Sequence, residues 1–240
     1  MQSRKFKAAL IVCGIAFGAV LFLLSPFFHV SDVIISGYNA VSRDEIYDRL
    51  EIESNTNILF FSNRAARGRI MENLYVSNVE FTRSMGGRLY VQVRERRLAA
   101  FIEHMPGTFL YIDELGRVLE VRQHMSQPLP LIVGLNFTHF TLGEVLDVPD
   151  RAAFNIVSIY AQLLYRHGLV SRVTYVNVSD TANTRILVGY LEFNVGDARD
   201  AEDKVRNIVG ILEAIPDANR TRGFVDLREN TTEFFLTILT

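Results

Sequence analysis

The sequence predicts an α+β protein with a single N-terminal transmembrane helix, a small β-α-α-β-β domain and a mixed-sheet domain with flanking helices. Residues 8–28 form one long apolar run without a charged residue. Strand-like alternation and helical periodicity then follow one another through residues 29–97, and again over a longer stretch in residues 98–240. We therefore expect a cytoplasmic segment at 1–7, a transmembrane helix at 8–28, and external domains at 29–97 and 98–240.

The apolar run is long enough to cross a bilayer, since about 20 helical residues span roughly 30 Å. Arg4, Lys5 and Lys7 precede it, and Asp32 is the first charged residue after it. This asymmetry predicts a cytoplasmic N-terminus and an external bulk in the plasma membrane. The alternative is a cleaved secretory signal, but the run exceeds the usual length of roughly 7 to 15 residues and lacks a small-x-small cleavage pattern. In both cases the remainder is exported.

Charge and cysteine content exclude several classes of function. The chain has 25 Lys plus Arg against 27 Asp plus Glu, which gives no basic surface for nucleic acid. Cys13, the single cysteine, lies inside the apolar run, so the external part has neither a disulfide nor a thiol nucleophile. The five histidines are scattered, and no metal-ligand, nucleophile or phosphate-loop motif is present. We expect no cofactor, no metal, no small-molecule substrate and no enzymatic activity.

The first external domain opens with a short strand around Val30–Ile35. Ser42 to Glu45 is a capping box that starts a helix, and Ser62 is a second N-cap, for a helix that carries Ala66, Ile70 and Leu74 at spacing four. Two alternating strands end the domain, with a hairpin at residues 85–87. This order predicts two helices on one face of a three-stranded sheet.

The second external domain begins with a hairpin whose turn is Asp113–Gly116. Asp113 is a candidate metal ligand, but a lone carboxylate beside a glycine favours a turn. Helices are predicted at about 149–167 and 198–214, and His167 is expected to cap the first of them. Strands are expected at residues 109–112, 118–121, 172–178, 184–188, 191–195 and 233–239, with an apolar segment at 129–134.

Several motifs in this order resemble a known family. Gly37-Tyr38-Asn39, Val41-Ser42 with Glu45-Ile46, residues 57–61 and the closing Val91–Arg96 resemble a POTRA domain. A POTRA domain directly after one N-terminal span resembles the FtsQ/DivIB family of bacterial cell-division proteins. The second half adds matching features at Ile112–Gly116, Leu129–Gly134, Lys204 and Val225–Arg228.

The resemblance implies a non-enzymatic scaffold of the divisome at the division septum. Its implied partners are FtsL-like and FtsB/DivIC-like single-span proteins and, beyond them, the septal peptidoglycan synthase. The chain departs from the family pattern in its short cytoplasmic head, in the lack of a polar tail and in Asn194-Val195-Gly196, which lacks the usual basic neighbour. Two alternatives remain, a POTRA-bearing protein export or assembly factor and a membrane-anchored extracytoplasmic hydrolase.

The candidate partner-binding residues lie at the ends of the two domains. The final strand is expected at a sheet edge, where unpaired backbone groups can accept a strand from a partner. We predict contacts at Phe234, Phe235, Leu236 and Thr237, with Asp226 and Arg228 upstream and Glu95 and Arg96 at the end of the first domain. The alternatives are that the phenylalanines pack in the core and that Arg94–Arg97 is a solvated strand end.

Overall fold

The computed structural model describes residues 2–84, 86–125, 128–215, 222–229 and 236–238. It divides the chain into two compact units, Met1–Arg96 and Arg97–Thr240. Together they contain both α-helices and β-sheets, as the predicted α+β class requires.

The first unit begins with helix α1, Gln2–Leu23. From residue 10 to residue 24 every side chain of this segment is exposed. Among the described residues, no helix has both the length and the apolar character that crossing a bilayer requires. The transmembrane helix expected at 8–28 therefore stays a prediction.

A three-stranded sheet and two short helices make up the rest of the first unit. The sheet has the order β1-β3-β2, with β1 parallel and β2 antiparallel to the central β3. Apolar side chains of both helices pack on one face of the sheet and form a buried core. The predicted order of strand, helix, helix, strand, strand is confirmed. The elements are β1 (Asp32–Ser36), α2 (Arg43–Leu50), α3 (Asn63–Ile70), β2 (Val76–Ser84) and β3 (Arg88–Glu95).

Both predicted N-caps form. The Ser42 hydroxyl accepts the Glu45 amide at 3.1 Å, and the Ser62 hydroxyl accepts the Ala65 amide at 3.3 Å. The capping box is only half made, however, because the Glu45 carboxylate instead accepts Asn73 Nδ2 at 2.8 Å and pairs with Arg49.

Helix α3 is shorter than the sequence pattern predicts. It ends at Ile70, so the expectation that Leu74 continues the helix is wrong. The side chain of Asn73 accepts the amide of Tyr75 at 2.9 Å. This local hydrogen bond offers the backbone an alternative to helix just before β2 begins.

The second unit contains a nine-stranded mixed sheet with the order β12-β11-β10-β9-β8-β7-β4-β5-β6. Its helices are α4, Arg151–Arg166, and α5, Ala201–Ala214. The strands are β4 (Leu98–Met105), β5 (Thr108–Asp113), β6 (Val118–Arg122), β7 (Leu131–Val133), β8 (Val173–Asn177), β9 (Arg185–Val188), β10 (Leu191–Asn194), β11 (Gly223–Asp226) and β12 (Leu236–Ile238).

Both helices bury the stripes that the sequence predicts. All six predicted core positions of α4 are buried: Ala153, Ile156, Val157, Tyr160, Leu163 and Leu164. On α5 the buried set also includes Lys204, whereas Val209 is only partly buried. The sequence did not indicate β4, and residues 233–235 and 239 of the predicted terminal strand lie outside the described residues.

Asp113 forms a turn between β5 and β6. One carboxylate oxygen, Oδ1, accepts the amides of Leu115 and Arg117, each at 2.9 Å. Gly116 follows with a φ of +76°, a conformation that glycine adopts without strain. The turn interpretation of this segment is therefore confirmed, and within the described residues no group of three His, Cys, Asp or Glu side chains could hold a metal.

Candidate partner-binding surfaces

Strand β12 lies at one end of the nine-stranded sheet. It pairs antiparallel with β11 in the register Gly223 with Ile238, Phe224 with Thr237 and Val225 with Leu236. Among the described strands, none pairs with its other edge. Two of the four predicted contact residues, Leu236 and Thr237, thus belong to this edge strand, whereas Phe234 and Phe235 lie outside the described residues.

Asp226 and Arg228 form a bidentate ion pair where β11 ends. The Nη2 and Nε atoms of Arg228 lie 2.6 and 3.0 Å from the Asp226 carboxylate, and the Arg228 amide donates to Asp226 Oδ1 at 3.1 Å. The hydrogen bond from the Arg228 guanidinium lowers the pKa of Asp226 and raises that of Arg228. The carboxylate therefore holds the arginine in one orientation at the end of β11.

A polar cluster connects Arg228 to the end of β10. Nη1 of Arg228 donates to Asn183 Oδ1 at 2.9 Å, and the Nδ2 group of Asn194 reaches the same oxygen at 3.3 Å. Asn194 in turn accepts the amide of Gly196 at 3.1 Å. Gly196 has a φ of +61°, and a β-carbon there would lie 3.0 Å from the Arg228 side chain. The turn after β10 and the arginine thus fit closely together.

The side chain of Lys204 binds the backbone of the same turn. Its side chain is 2% exposed and donates to the carbonyl oxygens of Val195 at 2.8 Å and Asp197 at 3.2 Å. Burial lowers the pKa of the lysine, and the nearby charge of the Asp197 carboxylate partly offsets this shift. The lysine that the family resemblance singles out is therefore buried, and its hydrogen bonds connect α5 to the backbone that follows β10.

Glu95 makes contacts within its own unit. Its carboxylate accepts the backbone amides of Asn39 and Ala40 at 2.8 Å and of Val41 at 2.9 Å. The amide of its neighbour Arg96 donates to the Tyr75 carbonyl at 2.6 Å. These bonds give both residues internal roles, and their predicted contact with a partner stays a prediction.

The structure thus places Asp226 and Arg228 directly after the residues of β11 that pair with β12, whereas Glu95 and Arg96 belong to the other unit. Sequence reasoning missed Asn183 and Asn194, which orient the arginine. No short motif connects them, because their spacing of 11 residues reflects the pairing of β9 with β10 rather than a local pattern.

Comparison with known proteins gives a consistent picture. The family described as POTRA domain, FtsQ-type, matches residues 28–96. The chain is 24% identical over 208 residues to a cell division protein DivIB of Clostridium botulinum, covering 86% of this chain and 81% of that protein. It is also 27% identical over 125 residues to a cell division protein FtsQ of Agrobacterium fabrum, covering 51% of this chain and 39% of that protein.

A cell division protein DivIB of Staphylococcus pseudintermedius is 23% identical over 158 residues, covering 59% of this chain and 53% of that protein. These relatives are named DivIB or FtsQ, the two names of the family that the sequence motifs resemble. The FtsQ-type POTRA match together with these relatives confirms the resemblance of the chain to the FtsQ/DivIB family of cell-division proteins.

Proposed function

We propose that the chain is a non-enzymatic, single-pass membrane scaffold of the bacterial division machinery, which binds other division proteins by strand addition. Resemblance to the FtsQ/DivIB family supports the division role. The single observation that carries the binding mode is the position of β12 at the end of the sheet order. Such an edge presents backbone N–H and C=O groups that a strand of another protein can pair with.

The surroundings of β12 fit this role. Within the described residues, β12 pairs with β11 along residues 236–238, and we propose that a partner strand pairs along residues 234–237. Asp226 fixes the Arg228 guanidinium at the end of β11, with the arginine side chain 49% exposed. A rigid, exposed cation can add orientation to the backbone pairing because little side-chain entropy remains to be lost.

The proposed partners follow from the family. They are FtsL-like and FtsB/DivIC-like single-span proteins, through which the scaffold connects to the septal peptidoglycan synthase. The chain itself would sit in the plasma membrane at the septum, with residues 1–7 in the cytoplasm and residues 29–240 outside. The basic residues before the apolar run and the exposed apolar side chains of α1 support this topology.

Two adjacent proline variants test strand addition. Successive N–H groups of a strand point to opposite sides, so Leu236→Pro and Thr237→Pro remove one donor toward β11 and one on the outer edge. We expect one of the two variants to lose co-purification of the FtsB/DivIC-like partner from solubilised membranes while its melting temperature stays unchanged. The control Thr237→Val keeps its N–H and should retain the partner.

The binding proposal is wrong if both proline variants retain the partner, or if partner loss always accompanies a lower melting temperature.

Extraction of membranes tests the topology. Alkaline carbonate should leave the full chain in the membrane pellet with an intact N-terminus. Imaging a tagged copy in dividing cells tests the division role, for which we expect enrichment at midcell. A uniform membrane signal would contradict it.

A further inference from the structure

A groove in the first unit lies between strand β1 and helix α2. It has a volume of about 450 Å³ and is lined by residues 30–33, by the exposed side of α2 and by residues 52–54. Val33 and Ile52 are apolar lining residues, which we call its apolar floor, and Tyr47 also lines it. Strand β1 is at one end of the sheet order, so its edge away from β3 borders this groove.

The backbone of β1 has donors on this edge. The Ser31 amide donates to the Gly87 carbonyl at 2.8 Å, toward β3. In a parallel pair, alternate residues bond to the same neighbour. The amides of Asp32 and Ile34 therefore point away from β3, toward the side where a further strand would lie.

The groove has an uncompensated negative charge. Four exposed carboxylates line it, and Arg43 is the only cation among its described lining residues. No hydrogen bond or ion pair connects these four side chains to a described residue. The four are Asp32, Asp44, Asp48 and Glu53.

The remaining acidic residues of the same unit are paired. Glu45 and Glu72 lie within 3.4 Å of Arg49, Glu51 lies 3.2 Å from Arg69, and Glu80 lies 3.4 Å from Arg94. Glu95 accepts three backbone amides. Arginines thus neutralise four of these five acids and backbone amides bind the fifth, which leaves the negative potential at the groove, where it attracts a cationic ligand.

We propose that this groove binds an extended, basic segment of a partner protein, which adds as a strand along β1. The backbone of the segment would pair with the amides of Asp32 and Ile34. Aliphatic side chains would enter the apolar floor on one face, and lysine or arginine side chains would meet the four carboxylates. The groove and β12 belong to different units of the chain, so a negative result for one binding surface does not contradict the other.

The test uses the full chain in detergent and a fluorescent heptapeptide in which four lysines alternate with three valines. We expect it to bind, with an affinity that falls as salt is added. Asp44→Asn/Asp48→Asn should weaken binding at least fivefold, and saturating peptide should slow amide hydrogen exchange at Asp32 and Ile34. A peptide with proline in place of each valine has the same charge but no alternate donors, and should bind at least fivefold more weakly.

The matched control is Glu114→Gln/Glu213→Gln, which removes two exposed carboxylates that do not line the groove. It should bind the peptide within twofold of the unmodified chain. If the groove pair lowers the melting temperature, Asp48→Asn/Glu53→Gln replaces it. Equal binding by groove and control variants, equal binding of both peptides, or unprotected amides at Asp32 and Ile34 would each overturn the proposal.

Discussion

The carboxylate of Glu95 accepts the backbone amide of Val41 at 2.9 Å, although 54 residues separate the two in the sequence. Glu95 is the last residue of β3, and Val41 precedes the N-cap of α2. The amides of Asn39 and Ala40 converge on the same carboxylate. A side chain at the end of one strand therefore holds the connection between β1 and the first helix of the POTRA domain.

Glu95→Ala should lower the free energy of unfolding of the POTRA domain by about 2 kcal/mol, because three amides lose a charged acceptor and only partly regain water. Glu95→Gln should cost about 1 kcal/mol, since one acceptor oxygen remains. Urea unfolding measures both, and hydrogen exchange at residues 39–41 locates the effect. Glu80→Gln, which breaks an exposed ion pair with Arg94, should stay within about 0.5 kcal/mol. A Glu95→Ala variant as stable as this control would contradict the role of the contact.

Gly134→Ala should destabilise the second unit much more than Gly168→Ala. Both glycines have positive φ, +87° and +68°, so alanine is strained at either position. A β-carbon at Gly134 would also lie 2.4 Å from the backbone nitrogen of Ser179, whereas nothing lies within 4 Å at Gly168. Thermal unfolding should show about 1 kcal/mol for Gly168→Ala and about 3 kcal/mol for Gly134→Ala. Equal costs would mean that the close approach to Ser179 is easily relieved.

Local patterns in the sequence predicted the local structure well. The stripe on α4 and the N-caps at Ser42 and Ser62 follow from contacts between residues three or four apart. Strand β4 escaped prediction because Ala99-Ala100-Phe101-Ile102 is apolar without alternation. Residues 100–102 are buried in succession, so the alternation of a strand with one solvated face does not apply to them.

The candidate site was predictable only in part. The strand expected at a sheet edge does lie at one end of the described sheet order. The cradle around Glu95 and the contact of Arg228 with Asn183 could not be inferred, since each joins residues 45 or more positions apart. Such pairs depend on strand register, which a single sequence does not specify. The groove beside β1 was missed for the same reason, because its acidic residues come from three separate segments.

Lys204→Ala should lower the free energy of unfolding of the second unit by about 3 kcal/mol. The substitution leaves the carbonyl of Val195 without its lysine donor and opens a cavity under the turn after β10, while the Asp197 carbonyl keeps only the Tyr160 hydroxyl, at 3.3 Å. Lys204→Met keeps the apolar stem and should cost about 1 to 2 kcal/mol. Arg206→Met, at an exposed position on the same helix, serves as the control and should change little.

The lowered pKa of Lys204 also predicts a dependence on pH. Between that lowered pKa and the ordinary value of 10.5, the unfolded chain holds a proton that the folded chain has released. The free energy of unfolding should therefore rise with pH across this interval relative to Lys204→Met, in which the group is absent. Urea unfolding of both proteins at several alkaline pH values measures the difference. A difference that stays constant or falls with pH would contradict the desolvation of Lys204.

The last prediction concerns Glu202, which connects the start of α5 to the end of α4. Its carboxylate accepts His167 Nε2 at 2.9 Å and Arg166 Nη1 at 2.8 Å, and the hydrogen bond from His167 is the main cause of the lowered pKa of Glu202. His167→Ala should therefore raise the pKa of Glu202 toward its ordinary value, and Arg166→Ala should raise it less. Carboxyl carbon NMR titration of the two variants measures both shifts.

The contact between His167 and Glu202 should also change how the stability of the second unit depends on acidic pH. A carboxyl with a lowered pKa in the folded state contributes stability above its ordinary pKa and loses it as the pH falls through the lowered value. His167→Ala should reduce this loss on acidification, because the folded and unfolded pKa values of Glu202 become more alike. Thermal unfolding of the unmodified chain and of the variant at several acidic pH values tests this. An unchanged acid dependence in His167→Ala, or a larger NMR shift in Arg166→Ala, would show that the histidine is not the dominant partner of Glu202.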